Sequence, residues 1–588
     1  MLITKVLRPA FFSLGALALA QSLLVSQSYG QYGASPSQTG LFFDDFRQRQ
    51  QQNRSGSSGT RDGDVTYDYS SGVYRDNEGA VMGQRSPDLE TARELSRPSI
   101  RSGSNAFAAR SVGDYTNYAG QYTSPTGFFA PTYTSDPFMD GRRNVKLGPV
   151  NVGFGFFQGL EYNDNINRSS TNPESDVIST TMLSIDANYR ITQNNQLSIT
   201  TGIGFDRYLE NPDLAPYGSN GFVLNVLPGS TIAFDVKAGP VYFTLYNRFS
   251  VRPATRSDFA IAQNQLFGVF QNDSGLAANW RINSDWTLAM NYMHSFTEAL
   301  SDGRKGSGSR GEFDEFNRVT DSLHGSLTYS PNGTWTAGFE GGSTMVDYET
   351  EFNSDGVLNN LGAFVVLPIG KTTYLRAAAG VQLFDFDDQP PSQPAVGGIA
   401  GGIPTANEIR TNTGDNSDLS DFYYSLTLSN RLNSRMTHAL SLGHESALNL
   451  TSNFITADYA NYGIAFVAWK GSRISLSGYI EDAEASGGDF AQDFFQYGGD
   501  FHISHRLTSN LQLGAGYHYG YTDASPQGGA IAATDSEFVQ HSFNFDLAYA
   551  LSRKATLSVG YRYYTTRVKI GGEDFDQNRI VMGFNYNF

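Results

Sequence analysis

The sequence predicts an all-β fold, a transmembrane antiparallel up-and-down β-barrel of about 20 strands, and three observations carry the prediction. From residue 151 onward apolar and polar residues alternate with a period of two, over stretches longer than the strands of globular proteins. The connections between these stretches alternate between tight turns and long polar loops. The chain ends inside an alternating aromatic strand, at Phe588.

The composition agrees and excludes other classes. The 588 residues include 62 Gly, 33 Tyr and 41 Phe, yet the mean hydropathy is -0.35. Without a single Cys, disulfides, thiolate metal sites, a cysteine nucleophile and a lipid-modified N-terminal Cys are all excluded. With 41 Lys+Arg against 58 Asp+Glu the net charge is -17, so the chain is not suited to gripping nucleic-acid phosphates.

Residues 1–30 read as a secretory signal peptide, because Lys5 and Arg8 precede an apolar stretch from Pro9 to Ala20 that resumes at Leu23, Leu24 and Val25. Cleavage fits after Ala18-Leu19-Ala20 or after Ser28-Tyr29-Gly30, and the second leaves the fuller apolar segment. Gln21 and Ser22 interrupt the run, which argues against a membrane anchor, and no other segment approaches the ~18 to 20 apolar residues of a spanning helix. Residues 31–150 are dominated by Ser, Gly, Gln, Asn, Arg and Asp, a composition that cannot bury enough surface to offset ordering entropy. They are expected to form a disordered periplasmic linker or arm, with a short helix possible from Asp88 to Leu95. A plug folded inside the barrel would need an apolar core of its own.

Residues 151–588 are expected to form the barrel. Leu511, Leu513, Ala515, Tyr517, Tyr519 and Tyr521 alternate with small and polar residues, and the same grammar recurs around Phe543 and Val559. Tight turns are expected at Thr192–Asn195, Asn283-Ser284, Pro331-Asn332, Gly370-Lys371, Asn433-Ser434, Lys470-Gly471, Thr508-Ser509 and Ser552-Arg553. The longest loop, 387–418, could constrict the mouth. The count is twenty strands, or eighteen if pairing errors merge neighbours, and 221–236 is the weakest because Pro228-Gly229 interrupts it. Starting upward from the periplasm at 151, every short turn falls on the periplasmic side.

In the last strand Ile580, Met582, Phe584, Tyr586 and Phe588 share one face. A terminal aromatic strand of this kind resembles the C-terminal signal read by the barrel assembly machinery, with Phe584, Tyr586 and Phe588 as the residues concerned. If the aromatic faces meet outer-membrane lipid, the opposite faces line the lumen. That puts Arg248, Arg252, Arg318, Arg376, Arg431, Arg506 and Arg562 inside, with Asp206, Glu340, Asp500 and Asp546. A wall of both signs suits a general or sugar-tolerant conduit, since ion selectivity needs a dominant ring of one sign. The same residues could equally pair across strands and hold a wide barrel rigid.

Motifs for chemistry fail on inspection. Gly370-Lys371-Thr372 lacks the glycine of a phosphate-binding loop five residues earlier, where Val365 stands. His444-Glu445 lacks the second His of a zinc-protease motif, and His502 and His505 point to opposite strand faces. Glu161, Asn163, Asp164 and Asn165 could meet calcium, but without the Gly-containing loop they are expected to form a solvated loop base. No cofactor or metal is expected.

Gly159-Leu160-Glu161-Tyr162-Asn163-Asp164-Asn165-Ile166 resembles the opening strand of the β-barrel porin 2 family. The resemblance implies an outer-membrane barrel, in some members associated with exopolysaccharide or capsule export, and adds a polysaccharide or a periplasmic export partner as candidates. It carries over no functional residue. The expectation is therefore an outer-membrane porin-like channel for hydrophilic solutes or an exported glycan, not an enzyme. The alternatives are a structural or adhesive barrel displaying its loops, and a barrel enzyme using a cross-strand His such as His518 or His324.

Overall fold

The computed structural model describes residues 145–588 apart from internal stretches, the longest being 256–265, 301–316, 388–414 and 527–534, together with 66–68 and 73–75. Twenty long strands close into one antiparallel barrel. The first ten are β1 (Val150–Asn163), β2 (Asp176–Arg190), β3 (Asn195–Tyr208), β4 (Phe222–Ala238), β5 (Val241–Thr255), β6 (Leu266–Arg281), β7 (Trp286–Leu300), β8 (Arg318–Tyr329), β9 (Thr336–Tyr348) and β10 (Gly356–Pro368). The rest are β11 (Thr373–Phe386), β12 (Leu419–Asn433), β13 (Met436–Leu448), β14 (Phe454–Phe466), β15 (Ser472–Ala485), β16 (Gln492–Arg506), β17 (Leu511–Pro526), β18 (Ser536–Ala550), β19 (Ala555–Ile570) and β20 (Phe575–Asn587). Each strand pairs with its chain neighbours, and β20 pairs with β1 from Arg579↔Asn163 to Asn587↔Gly155, so the sheet has no open edge.

The predicted count of twenty holds. Val145–Leu147 folds back on the first residues of β1 through Gly148, so ordered structure begins a few residues before 151. Thr66–Asp68 pairs with Val73–Arg75 inside the segment expected to be unstructured. The rest of that segment, with the signal peptide and the 88–95 helix, lies outside the described residues, as does most of the 387–418 loop.

The tight turns explain their own residues. Thr192, Asn283, Thr508 and Ser552 each accept a backbone N–H two residues ahead through the side-chain oxygen, at 2.9 to 3.2 Å. Gly370 (φ 84°) and Gly471 (φ 81°) adopt the left-handed conformation that a side chain would strain. Pro228-Gly229 falls where the β4–β5 register shifts between Val226 and Ser230, so the strand continues through a bulge that needs no proline N–H.

The outer wall is apolar on the side of the short turns. All four tryptophans, Trp280, Trp286, Trp335 and Trp469, sit at the short-turn end, and Tyr329 packs between Trp286 (4.8 Å) and Trp335 (5.6 Å). Above them Leu, Phe, Val and Tyr point outward, with Leu245, Leu183 and Met582 more than half exposed. The apolar band then ends at outward polar residues around the wall, among them His294, Asp321, His444, Asp458, His541 and Asn578. From Trp286 to His294 the strand rises about 20 Å at the usual tilt, close to the ~25 Å apolar band of a membrane barrel.

Candidate functional site: the inner wall

Alternation turns the other face of every strand inward, and some of the charges there are paired with opposite charges while others meet hydroxyl or aromatic groups. Arg376 Nη2 donates to both Glu340 carboxylate oxygens at 3.1 and 3.2 Å, and the guanidinium lies 5.2 Å from the Phe364 ring. Arg562 meets Asp546 at 2.9 Å. Asp500 accepts a bond from Ser477 at 3.2 Å and lies 2.9 Å from His518 Nδ1. Asp206 accepts a 2.6 Å bond from Thr180, and Arg248 lies over the Tyr246 ring at 4.7 Å. Arg318 is buried near the long-loop end, with Nη1 lacking a hydrogen-bond partner. Arg431 lies on β12 near the short-turn end, opposite Thr437, and Arg506 is exposed at the short-turn rim. Arg252 pairs through its backbone with Val269, and its side chain lies outside the described set.

Sequence parity therefore places these residues on one wall, while their pairing is visible only in three dimensions. Glu481 and Gln496 (2.9 Å), Asp273 and Ser295 (2.7 Å), and Tyr246 and Asn291 (3.0 Å) extend the polar belt. Arg579 was missed by the sequence reading. It makes a two-pronged ion pair with Glu161 at 2.6 and 2.7 Å, both groups buried. Carrying the alternation of the last strand back to residue 579 would have found it.

The Glu161–Asn165 stretch corrects an expectation. It is no solvated loop base: Glu161, Asn163 and Asn165 are all buried, because they lock the seam between β1 and β20. Asn165 Nδ2 donates to Ser169 O and Asp576 O at 2.9 Å, and Gln577 Nε2 donates to Asn165 O at 2.6 Å. Asp164 accepts the Asn578 backbone and side-chain N–H groups at 2.6 and 2.7 Å. Glu161 and Asp164 are thus spent on the strand opposite, while Asn163 Oδ1 accepts the Asn165 N–H at 3.1 Å. In the loop just above, burial pulls the Arg168 guanidinium down to about 10. Among the described residues no group of three His, Asp or Glu side chains is placed to hold a metal.

Burial along the inner wall is graded. On β16, Gln492, Phe494 and Gln496 are buried, Asp500 and His502 half-buried, and Arg506 exposed. β13 and β17 show the same fall from the long-loop to the short-turn end. Near the long-loop end the buried residues become apolar. One cluster joins Val346, Phe384, Phe386, Leu448 and Phe454, a second Ile178, Tyr208, Tyr217 and Val223, and a third Ile455, Phe494 and Ala524. Lower down, large inward rings lie flat over glycines. A Cβ at Gly380 would stand 2.2 Å from Leu361 O and 2.5 Å from the Tyr423 ring.

The C-terminal aromatics point outward, with Phe588 half exposed and 4.9 Å from Tyr586, while the Phe588 N–H donates to Phe154 O at 2.9 Å. An even-stranded closed barrel with an apolar outer band, a tryptophan rim and a polar inner wall is a membrane-spanning β-barrel of the outer-membrane type.

No protein family matches the chain, and no curated protein matches it either. Solved structures that resemble it are outer-membrane barrels. The FrpB iron transporter of Neisseria meningitidis (F5-1 variant) has a TM-score of 0.47 at 8% identity, covering 77% of this chain and 83% of its own. The siderophore receptor PirA of Pseudomonas aeruginosa has a TM-score of 0.40 at 10% identity, covering 74% and 80%. OpdK of Pseudomonas aeruginosa, solved with vanillate, has a TM-score of 0.35 at 11% identity, covering 74% and 99%.

Proposed function

We propose that the protein is an outer-membrane channel for the passive passage of hydrophilic solutes or of an exported polysaccharide, and that it has no chemistry of its own. The observation that carries this reading is the inner wall, where ionisable and amide side chains of both signs line a closed barrel of twenty strands. That size lies between the porins with open aqueous lumens and the larger plugged transporters. Paired charges of opposite sign leave no dominant ring, which suits neutral, hydroxyl-rich cargo better than a single ion. The arm before residue 145 lies in the periplasm in this reading, where it can meet an export partner. Phe584, Tyr586 and Phe588 present the terminal stripe to the assembly machinery.

A second reading, a structural barrel displaying its loops, is favoured by the burial of the inner wall toward the extracellular end. Single-channel recording in a planar bilayer separates the two, using the chain from Gln31 and a version starting near Arg143. Steady conductance in both is the expected result for a conduit. Silence in both removes the channel reading and leaves the structural one.

A further inference from the structure

The charges of the barrel are sorted by end. The nine tight connections, counted with two strand residues on either side, hold ten Lys or Arg and a single acidic residue, Asp285. The ten long connections, counted the same way, hold 28 Asp or Glu against nine Lys or Arg. One mouth of the barrel is therefore basic and the other acidic, while the wall between them carries both signs.

The basic mouth is built from a repeated unit. Arg190-Ile191-Thr192, Arg281-Ile282-Asn283, Arg431-Leu432-Asn433 and Arg506-Leu507-Thr508 stand where β2, β6, β12 and β16 reach their tight turns. The third residue of each unit closes the turn, its side-chain oxygen accepting a backbone N–H two residues ahead, in Asn433 that of Arg435 at 2.8 Å. The second residue faces the membrane, and Ile191, Ile282, Leu432 and Leu507 are 43% to 54% exposed. The arginine, one position earlier, takes the inner face. Arg190 stands opposite Gln196, Arg281 opposite Thr287, Arg431 opposite Thr437 and Arg506 opposite Gln512. Arg190, Arg281 and Arg506 are exposed and Arg431 is half-buried.

The four strands follow one another at intervals of four and six around the closed sheet, so the guanidinium groups surround the mouth. Lys237 on β4 adds an inward charge between Arg190 and Arg281, its Nζ 5.4 Å from the Tyr242 ring. Basic residues at a membrane boundary ordinarily serve lipid headgroups. Here the lipid-facing position of every unit is Ile or Leu, and the arginine stands at the entrance to the lumen. The planar fork of a guanidinium matches a carboxylate or a phosphate. A ring of one sign gathers such groups at the mouth, and the acidic far end repels them.

We propose that the short-turn mouth is a binding ring for the carboxylate or phosphate groups of an anionic glycan. An extended glycan chain can enter a lumen and meet inward-facing arginines, which a folded acidic protein cannot. The proposal rests on the conduit reading above and deepens it by giving the hydroxyl-rich cargo acidic groups. For small ions the two mouths oppose each other, so the ring acts on a polyanion that reaches several arginines at once.

The test uses the chain from Gln31 in phosphatidylcholine nanodiscs, which expose both mouths and require no conduction. Fluorescence anisotropy of a labelled oligogalacturonate is expected to report binding that weakens as salt is raised, with none for a neutral maltodextrin of equal length. Arg281→Gln with Arg506→Gln changes two exposed side chains and should weaken binding about tenfold. Arg567→Gln with Lys569→Gln removes as much charge from the outer wall and should leave binding unchanged. Absence of oligogalacturonate binding would overturn the ring, as would equal loss in the two double variants. Tighter binding of a polyglutamate of the same length would assign the mouth to an acidic peptide and overturn the glycan. In a planar bilayer, silence from a protein that binds would sink the conduit reading and leave the ring standing, whereas conductance without binding would sink the ring alone.

Discussion

Glu161 and Arg579 show how a single pair serves the barrel at the residue scale. Both are buried, they belong to the first and last strands, and each satisfies the other through two bonds. Removing one partner leaves a buried charge without its counter-ion, which costs about 3 to 5 kcal/mol. Arg579→Met is therefore expected to lower unfolding stability in detergent by about that amount, whereas Glu161→Leu combined with Arg579→Met should recover most of it. Equal loss in the single and double variants would show that the pair contributes packing rather than charge. Gly380 makes a second case. An alanine there would press its Cβ against Leu361 O, and Gly380→Ala is expected to cost about 1 to 3 kcal/mol in the same measurement of unfolding stability. Among these residues only Glu161 was singled out from sequence, and for the wrong environment, because parity along a strand fixes a face and says nothing of the strand that closes upon it.

At the scale of elements, the strands and turns were largely legible. Long alternating runs and turns built on Thr, Asn, Ser and Gly leave little freedom, since a slip of one residue would move every apolar side chain to the polar face. β4 was the weakest expectation because a proline normally ends a strand, and the bulge that absorbs it is a property of its pairing with β3 and β5. The last strand carries a testable consequence. If its outward aromatics are the assembly signal, Phe588→Ser should reduce the folded, heat-modifiable barrel recovered in the outer membrane several-fold, with little effect on a barrel refolded in detergent. A similar loss in both settings would assign Phe588 to stability through its contact with Tyr586 instead.

The whole molecule adds what neither residues nor strands contain alone. Its tryptophans gather on one rim although they are spread from position 280 to 469, so brominated lipids should quench them as one class. Quenching is expected to be stronger with bromine near the headgroup than near the chain end. Two separate depth classes would contradict the membrane placement. The balanced inner wall leads to a second expectation, a reversal potential near zero for the channel in a salt gradient, because paired arginines and carboxylates present little net field. A strongly selective channel would mean that Arg248 or Arg318 dominates the pathway.

The sequence by itself determined the barrel, the strand count, the side on which the short turns fall and the face each side chain occupies, because a period of two leaves only two faces and a membrane accepts only one of them. Tertiary structure alone decided which inward charges meet, how the 161–165 stretch locks against 576–578 and where the buried residues turn apolar. Those outcomes depend on register and stagger between strands far apart in the chain. Alternation within a strand is blind to both.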